Sequence, residues 1–244
     1  MKHRLLLIAL MAMTLAACSK DNPTEESDPQ LTFSFEQGTY TQVALPYRKA
    51  VIAPSGNEKP ALVIYLHGGS SKGNDNTLQM SEAGVTTIGN YLLKHRISSL
   101  MIVPQCPIDK SWGGSMNKVL KALIDELAGV TIDPRRIYLL GGSMGGTGTW
   151  SMLSDYPGFF AAAMPVAGNP SGCNATNVAS TPLFSVVGSA DTIIDPGITS
   201  AFIGQVDLLG GITKLDVEDG WTHQTTCTEA YTDTRLAWLF AQQR

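Results

Sequence analysis

Gly141-Gly-Ser-Met-Gly145 follows directly on a short apolar run, Ile137 to Leu140, and precedes a stretch able to continue as a helix from Gly146 to about Ser154. In that context, strand then sharp turn then helix, a Gly-x-Ser-x-Gly pentapeptide reads as a nucleophile elbow. Ser143 takes a strained backbone angle that lifts its hydroxyl clear of the turn. A side chain at Gly141 or Gly145 would collide with the neighbouring strand or helix. The Met144 N–H, at the start of the new helix, faces the place where an oxyanion would form. A Gly-rich turn that merely packs tightly is the plain alternative, and the elements on both sides weigh against it.

A serine hydroxyl is a poor nucleophile and needs a base, which in turn needs an acid to orient it. The chain has four histidines. His3 lies in the leader and His95 ends a helix. His67 ends a strand-like run, just before a Gly-rich loop, and is read as a structural group that holds that loop by bonding backbone. His223 follows the last strand, on a loop, which makes it the base. Asp191, just beyond the run Leu183–Val187, is the favoured acid, because catalytic groups of parallel sheets gather beyond strand C-termini. Asp195 is its rival, although beside Pro196 it reads more simply as a helix cap. The second oxyanion donor should come from the loop after Ala61–His67, with Gly69 the first choice and Ser70 the second. This chemistry calls for no cofactor and no metal.

Strands alternating with helices must position these groups. Thr32–Glu36 and Val43–Ile52 look like strands, with Pro46 marking an edge or bulge; Pro54–Pro60 reads as a turn. Ala61–His67 and Leu100–Val103 read as strands buried on both faces. Thr77–His95 carries a helical pattern, and Ser115 can cap a helix with Val119, Leu120, Leu123, Ile124 and Leu127 on one side. Phe160–Val166 is a strand, Ile198–Leu209 a helix, Ile212–Val217 the last strand and Glu229–Gln243 a final helix. The pattern predicts an open, mostly parallel sheet with helices on both faces.

The N-terminus is a separate matter. Lys2, His3 and Arg4 precede an apolar run, Leu5–Leu15, too short to span a bilayer. Leu15-Ala-Ala-Cys18 then looks like a bacterial lipobox. Residues 1–18 are thus expected to be a lipoprotein signal, 19–30 a polar tether and 31–244 the catalytic domain. Cys18 would be lipidated and would anchor an exported protein to a bacterial membrane, the outer one, on its periplasmic or cell-surface face. The formal net charge is −4, and loss of Lys2 and Arg4 makes the balance more acidic. That excludes a nucleic-acid partner, which needs a basic face. Cys106, Cys173 and Cys227 show no zinc spacing. An exported protein is allowed a Cys173–Cys227 bridge tying the His223 loop to its neighbour, with Cys106 left free; three separate thiols are the alternative.

Several motifs together resemble a known group. They are Leu66-His-Gly-Gly69, Gly73-Asn-Asp75, Pro104-Gln-Cys-Pro107 with Trp112, Ile132-Asp-Pro-Arg-Arg-Ile137, Gly142-Ser-Met-Gly-Gly146, Phe160-Ala-Ala-Ala-Met-Pro165 and Trp221-Thr-His223, followed by Tyr231 and Trp238. Over about residues 40 to 244 the chain is similar to one branch of the α/β-hydrolases. This branch comprises esterases related to polyhydroxybutyrate depolymerase and to feruloyl and acetylxylan esterases, some of them described as peptidases. The resemblance implies the α/β-hydrolase fold and a Ser143, Asp191, His223 triad. It implies an aromatic residue beside the pocket at Trp112; Ser70, Trp112 and Trp221 are the candidate substrate contacts. The chain departs from the branch at Val187-Gly-Ser-Ala-Asp191, where a His-Gly form is usual, and at Asp195, where an apolar residue is commoner. The lipobox and tether resemble exported Bacteroidetes lipoproteins. The expected activity is hydrolysis of small carboxylic esters, acetyl or feruloyl groups on carbohydrate among them. The alternatives are a peptidase and an inactive binding lipoprotein.

Overall fold

The computed structural model describes residues 34–52, 58–129 and 131–244. The leader with Cys18, the tether, the domain start near Leu31 and residues 54–57 of the first turn lie outside them. The described strands are β1 (Glu36–Tyr40), β2 (Leu45–Ile52), β3 (Ala61–Leu66), β4 (Ser99–Pro104), β5 (Ile137–Gly142), β6 (Ala162–Val166), β7 (Leu183–Gly188) and β8 (Thr213–Glu218). They form one sheet in the order β1-β2-β4-β3-β5-β6-β7-β8. Only the pairings of β1 with β2 and of β2 with β4 are antiparallel.

β3 shows why the sheet is organised this way. All six of its residues are buried. Leu62, Ile64 and Leu66 enter one core, and Ala61, Val63 and Tyr65 enter the other, as the two-residue period of a strand requires. The first core is closed by α2 (Ser115–Ala128), α3 (Met144–Asp155) and α5 (Pro196–Leu208), through residues such as Leu120, Leu123, Trp150 and Val206. The second is closed by α1 (Ala83–Lys94) and α7 (Asp233–Phe240), through Val85, Ile88, Leu236 and Leu239. β4 lies on one side of β3 and β5 on the other. The strand order therefore reverses there, and a crevice opens beyond the C-terminal ends of β3 and β5, where open α/β sheets bind their ligands.

The elements differ from the sequence expectation in several places. The first described strand is Glu36–Tyr40, its register to β2 running from Glu36 opposite Lys49 to Tyr40 opposite Leu45; of the strand expected over Thr32–Glu36, Thr32 and Phe33 lie outside the described residues, and Ser34 and Phe35 precede the strand. β2 is an interior strand; Pro46 is tolerated at its second position, outside the β2–β4 register, which begins at Tyr47. The Thr77–His95 pattern divides into a short 3-10 turn, Leu78–Ser81, and α1. Gly114, at φ 55°, takes the cap position of α2, so Ser115 is the first helical residue. A short α4 (Ala175–Val178), capped by the Asn174 side chain, occupies what reads as loop. The final helix, expected over Glu229–Gln243, is the shorter α7, capped by Thr232, and a separate helix, α6 (His223–Glu229), precedes it. His223 thus opens a helix rather than riding a loop, because the Thr222 side chain accepts from the Thr225 N–H and starts the turn.

Candidate active site

Ser143 stands at the junction of β5 and α3 with φ 56° and ψ −117°, a conformation that costs a non-glycine residue energy. Its N–H donates to Val166 O and its carbonyl accepts from the Thr147 N–H, both at 2.9 Å, so the turn is held from both sides. Close packing brings α3 under the sheet. A β-carbon at Gly145 would lie 1.9 Å from Leu66 O, and one at Gly146 would lie 2.3 Å from Val166 O. Only hydrogen fits at either position.

His223 reaches Ser143 from the other side. Its Nε2 is 2.8 Å from Ser143 Oγ, and its Nδ1 is 2.7 Å from Asp191 Oδ2. A carboxylate only accepts, so Nδ1 carries the proton and Nε2 offers its lone pair to the serine hydroxyl. The other Asp191 oxygen accepts from the Ile193 and Ile194 N–H groups, both at 2.8 Å. The Asp191 side chain is 1% exposed and that of His223 14%. The loops after β7 and β8 bring the pair together. Ser189 N–H donates to Glu218 O, and Ala190 N–H to Trp221 O. Asp195 takes no part; it caps α5 by accepting from the Gly197 N–H. Of the two candidate acids, the geometry brings only Asp191 to His223.

Gly69 opens a 3-10 turn, Gly69–Ser71, and Met144 opens α3. The N–H of a first helical residue has no partner within its own helix, so two backbone donors remain at the mouth of the crevice. The loop carrying Gly69 is braced from beneath. His67 is fully buried; its Nε2 accepts from the Cys106 N–H at 2.9 Å, which leaves Nδ1–H to donate to Gly68 O at 2.6 Å. Burial pushes the imidazole pKa below its ordinary value and favours this neutral form. Gln105 accepts from the Asn76 N–H and donates to Ser71 O and Asp75. Glu82 accepts from the Gly68 N–H and the Ser71 hydroxyl. His67 holds the loop as its sequence position suggests. Gln105, within the Pro104–Pro107 motif, and Glu82 are additional: a lone acid inside a helical pattern gives no signal that it faces a distant loop.

The cavity over Ser143 measures about 580 Å³ and is lined by Gly68, Gly69, Ser70, Ser71, Ser81, Glu82, Ala83, Ile193, His223, Gln224, Cys227 and Thr228. Ser70 is on this wall, but the two tryptophans expected as substrate contacts are not. Trp112 is 4% exposed; its indole N–H donates to His67 O at 3.1 Å and its ring meets the imidazole edge-on. It is a buttress behind the loop. Trp221 lies in a separate groove between β8 and α7, against the Arg235 guanidinium. The Cys173–Cys227 bridge is not formed, and all three cysteines are free thiols. Cys173 packs into the core containing α3, and Cys227 into the core on the opposite face of the sheet. Burial, reinforced by the Glu82 and Asp191 charges, raises the Cys227 thiol to about 12, so it stays protonated beside Ser143.

No family model matches the chain. Poly(3-hydroxyalkanoate) depolymerase C of Paucimonas lemoignei is 32% identical over 170 residues, which takes in 65% of this chain and 37% of that protein. The chain therefore spans little more than a third of that relative. Among solved structures, a thermostable esterase superposes with a TM-score of 0.75 at 23% identity, covering 87% of this chain and 63% of the other. The feruloyl esterase module from Clostridium thermocellum gives 0.66 at 15% identity, covering 86% and 88%. With the sheet order and the helices on both faces, these likenesses establish that the chain has the α/β-hydrolase fold.

Proposed function

We propose that the protein is a serine esterase that cleaves carboxylic esters through an acyl-enzyme. The observation that carries this reading is the continuous hydrogen-bonded chain from Ser143 Oγ through His223 to Asp191, on a strained elbow at a cavity floor. Ser143 Oγ attacks the ester carbonyl carbon while His223 Nε2 takes its proton. The negative charge that develops on the carbonyl oxygen is met by the Met144 and Gly69 N–H groups. His223 then gives the proton to the departing alkoxide. Water, deprotonated by the same imidazole, attacks the acyl group and restores Ser143. Asp191 holds the Nδ1–H tautomer and stabilises the imidazolium in both halves of the cycle.

The cavity wall points to the substrate. Ser70, Ser71, Ser81, Gln224 and Thr228 offer hydroxyl and amide groups, while Ile193, Ala83 and Cys227 are its main apolar side chains. Such a wall suits a hydroxylated alcohol carrying either a short acyl group or a hydroxylated aromatic one better than a long alkyl chain, and acetyl or feruloyl esters of carbohydrate fit that description. The depolymerase relative and the esterase-like fold are consistent with ester chemistry. We place the protein on a bacterial membrane, held by lipid on Cys18 with the domain exported. Loss of membrane partitioning in Cys18→Ser full-length protein tests that placement.

A panel of acetyl, feruloyl and longer-chain esters together with an amide of the same acyl groups tests the activity. Turnover of the short and aromatic esters, falling with acyl length and abolished in Ser143→Ala, is the expected result. Cleavage of the amide with no ester turnover would replace this reading with a peptidase, and loss of neither in Ser143→Ala would end it.

A further inference from the structure

Glu82 occupies the cap position immediately before α1, yet its carboxylate makes no capping bond to that helix. Acidic oxygens at a cap ordinarily accept from the first-turn N–H groups. Here Oε1 instead accepts from the Gly68 N–H at 3.1 Å and from the Ser71 hydroxyl at 2.6 Å, fourteen and eleven residues away in the chain. Oε2 faces the Tyr65 hydroxyl at 3.5 Å. A β-carbon at Gly68 would sit 3.3 Å from Oε1 and 3.6 Å from Ser143 Cβ, so one glycine separates this carboxylate from the nucleophile. Glu82 is also the only carboxylate among the described residues lining the cavity. Leaving a helix start uncapped while placing a negative charge beside a developing oxyanion breaks two local preferences at once, and such breaks gather at functional sites.

We propose that Glu82 sets the charge specificity of the site: it clamps the turn that carries the Gly69 N–H, and its charge makes the cavity reject esters bearing a negative group near the scissile carbonyl. This rests on the serine-esterase reading. The clamp and the charge are one device. The side chain must be an acceptor to hold both donors of the turn, and an ionised acceptor holds them more strongly. The same charge reaches the surrounding groups: after burial, it is the largest cause raising the Tyr65 hydroxyl and the Cys227 thiol. A second carboxylate entering with a substrate meets the same field without an interposed cation, since none of the described residues on this wall is a lysine or arginine.

The experiment compares 4-acetoxybenzoate with its methyl ester, two acetyl esters that differ by one negative charge on the leaving group. The readout is the ratio of kcat/KM for the neutral over the anionic ester. Glu82→Gln keeps an amide oxygen able to accept from Gly68 and Ser71 but removes the charge; it should lower this ratio by about tenfold at low salt. The wild-type ratio itself should shrink as salt screens the charge. Asp195→Asn removes a negative charge outside the cavity wall and should leave the ratio alone. Glu82→Ala releases the clamp and should lower kcat on both esters, with Gln restoring most of it. If both esters are hydrolysed and the ratio is the same in wild type and Glu82→Gln, the charge role is overturned while the esterase reading stands. If neither ester, nor any other, is hydrolysed, the esterase reading fails and this inference fails with it.

Discussion

A methyl group at Gly145 would stand 1.9 Å from Leu66 O and 2.9 Å from His67 O, whereas non-bonded heavy atoms pack at about 3.5 Å. Both obstacles are backbone atoms of the chain leaving β3, which cannot rotate aside. In Gly145→Ala, α3 must therefore withdraw from β3 by roughly 1.6 Å to recover an ordinary contact. Overpacking of this kind costs about 1–3 kcal/mol. For a domain of this size that lowers Tm by about 2–12 °C. Activity should suffer more, because α3 begins at the elbow: a displacement of about 1 Å at Ser143 costs on the order of 10²-fold in rate. Gly204 is the control. It lies exposed in α5, where an added β-carbon would meet nothing within 4 Å, so Gly204→Ala should gain about 0.5–1 kcal/mol from helix propensity and leave turnover unchanged. Circular-dichroism melts and steady-state ester hydrolysis read both variants. A Gly145→Ala protein that melts and turns over like wild type would refute the close-packing argument for the elbow.

The acid assignment predicts that Asp191→Asn lowers kcat by several orders of magnitude, because it leaves His223 in the wrong tautomer, whereas Asp195→Asn should leave kcat unchanged and cost little stability, since the asparagine Oδ1 still caps α5 by accepting from the Gly197 N–H. A reversed ranking in kcat would reassign the acid. Burial lowers the His67 pKa, so below about pH 6.5 the unfolded chain binds the extra proton and the folded chain does not; stability is held above that pH and lost as pH falls through the folded value. Wild-type Tm should therefore drop more steeply between about pH 7 and pH 5 than that of His67→Gln, a weaker but non-titrating variant; parallel curves would contradict this. Cys106 and Cys173, raised to about 11, and Cys227, raised to about 12, should resist alkylation in the native protein at neutral pH. All three should be modified after denaturation without reductant, and recovery of a linked Cys173–Cys227 peptide would overturn the free-thiol assignment.

The sheet was legible because its strands are long enough and apolar enough to declare themselves. Ala61–Leu66 and Ile137–Leu140 are buried on both faces, and that burial is written in an unbroken apolar run. The elbow was legible because Gly145 and Ser143 sit where only those residue types serve. The juxtaposition of His223 and Asp191 with Ser143 was anticipated from the places of both residues behind Ser143 in the chain. The failures share a different cause. Nothing in Trp112 or Trp221 tells a ring turned inward against His67 or Arg235 from one turned toward a ligand. A disulfide depends on which face of the sheet each cysteine enters, and sequence separation does not carry that information. Short helices such as α4 and α6 are set by the side-chain caps Asn174 and Thr222 rather than by periodicity. Glu82 and Gln105 act on a loop far from them in the chain, through contacts that exist only once β3 and β4 lie side by side.

The central claim is that Ser143 carries the acyl group between the two halves of the reaction, and trapping that intermediate tests it most directly. The protein is mixed with an activated acetyl ester, quenched in acid within the first turnovers and digested, and the peptides are weighed. The predicted result is one acetyl group on the peptide containing Ser143, its amount tracking the burst of released alcohol, with none in Ser143→Ala. Steady turnover with no acetylated Ser143 peptide, or an acetyl group carried by another residue, would contradict it.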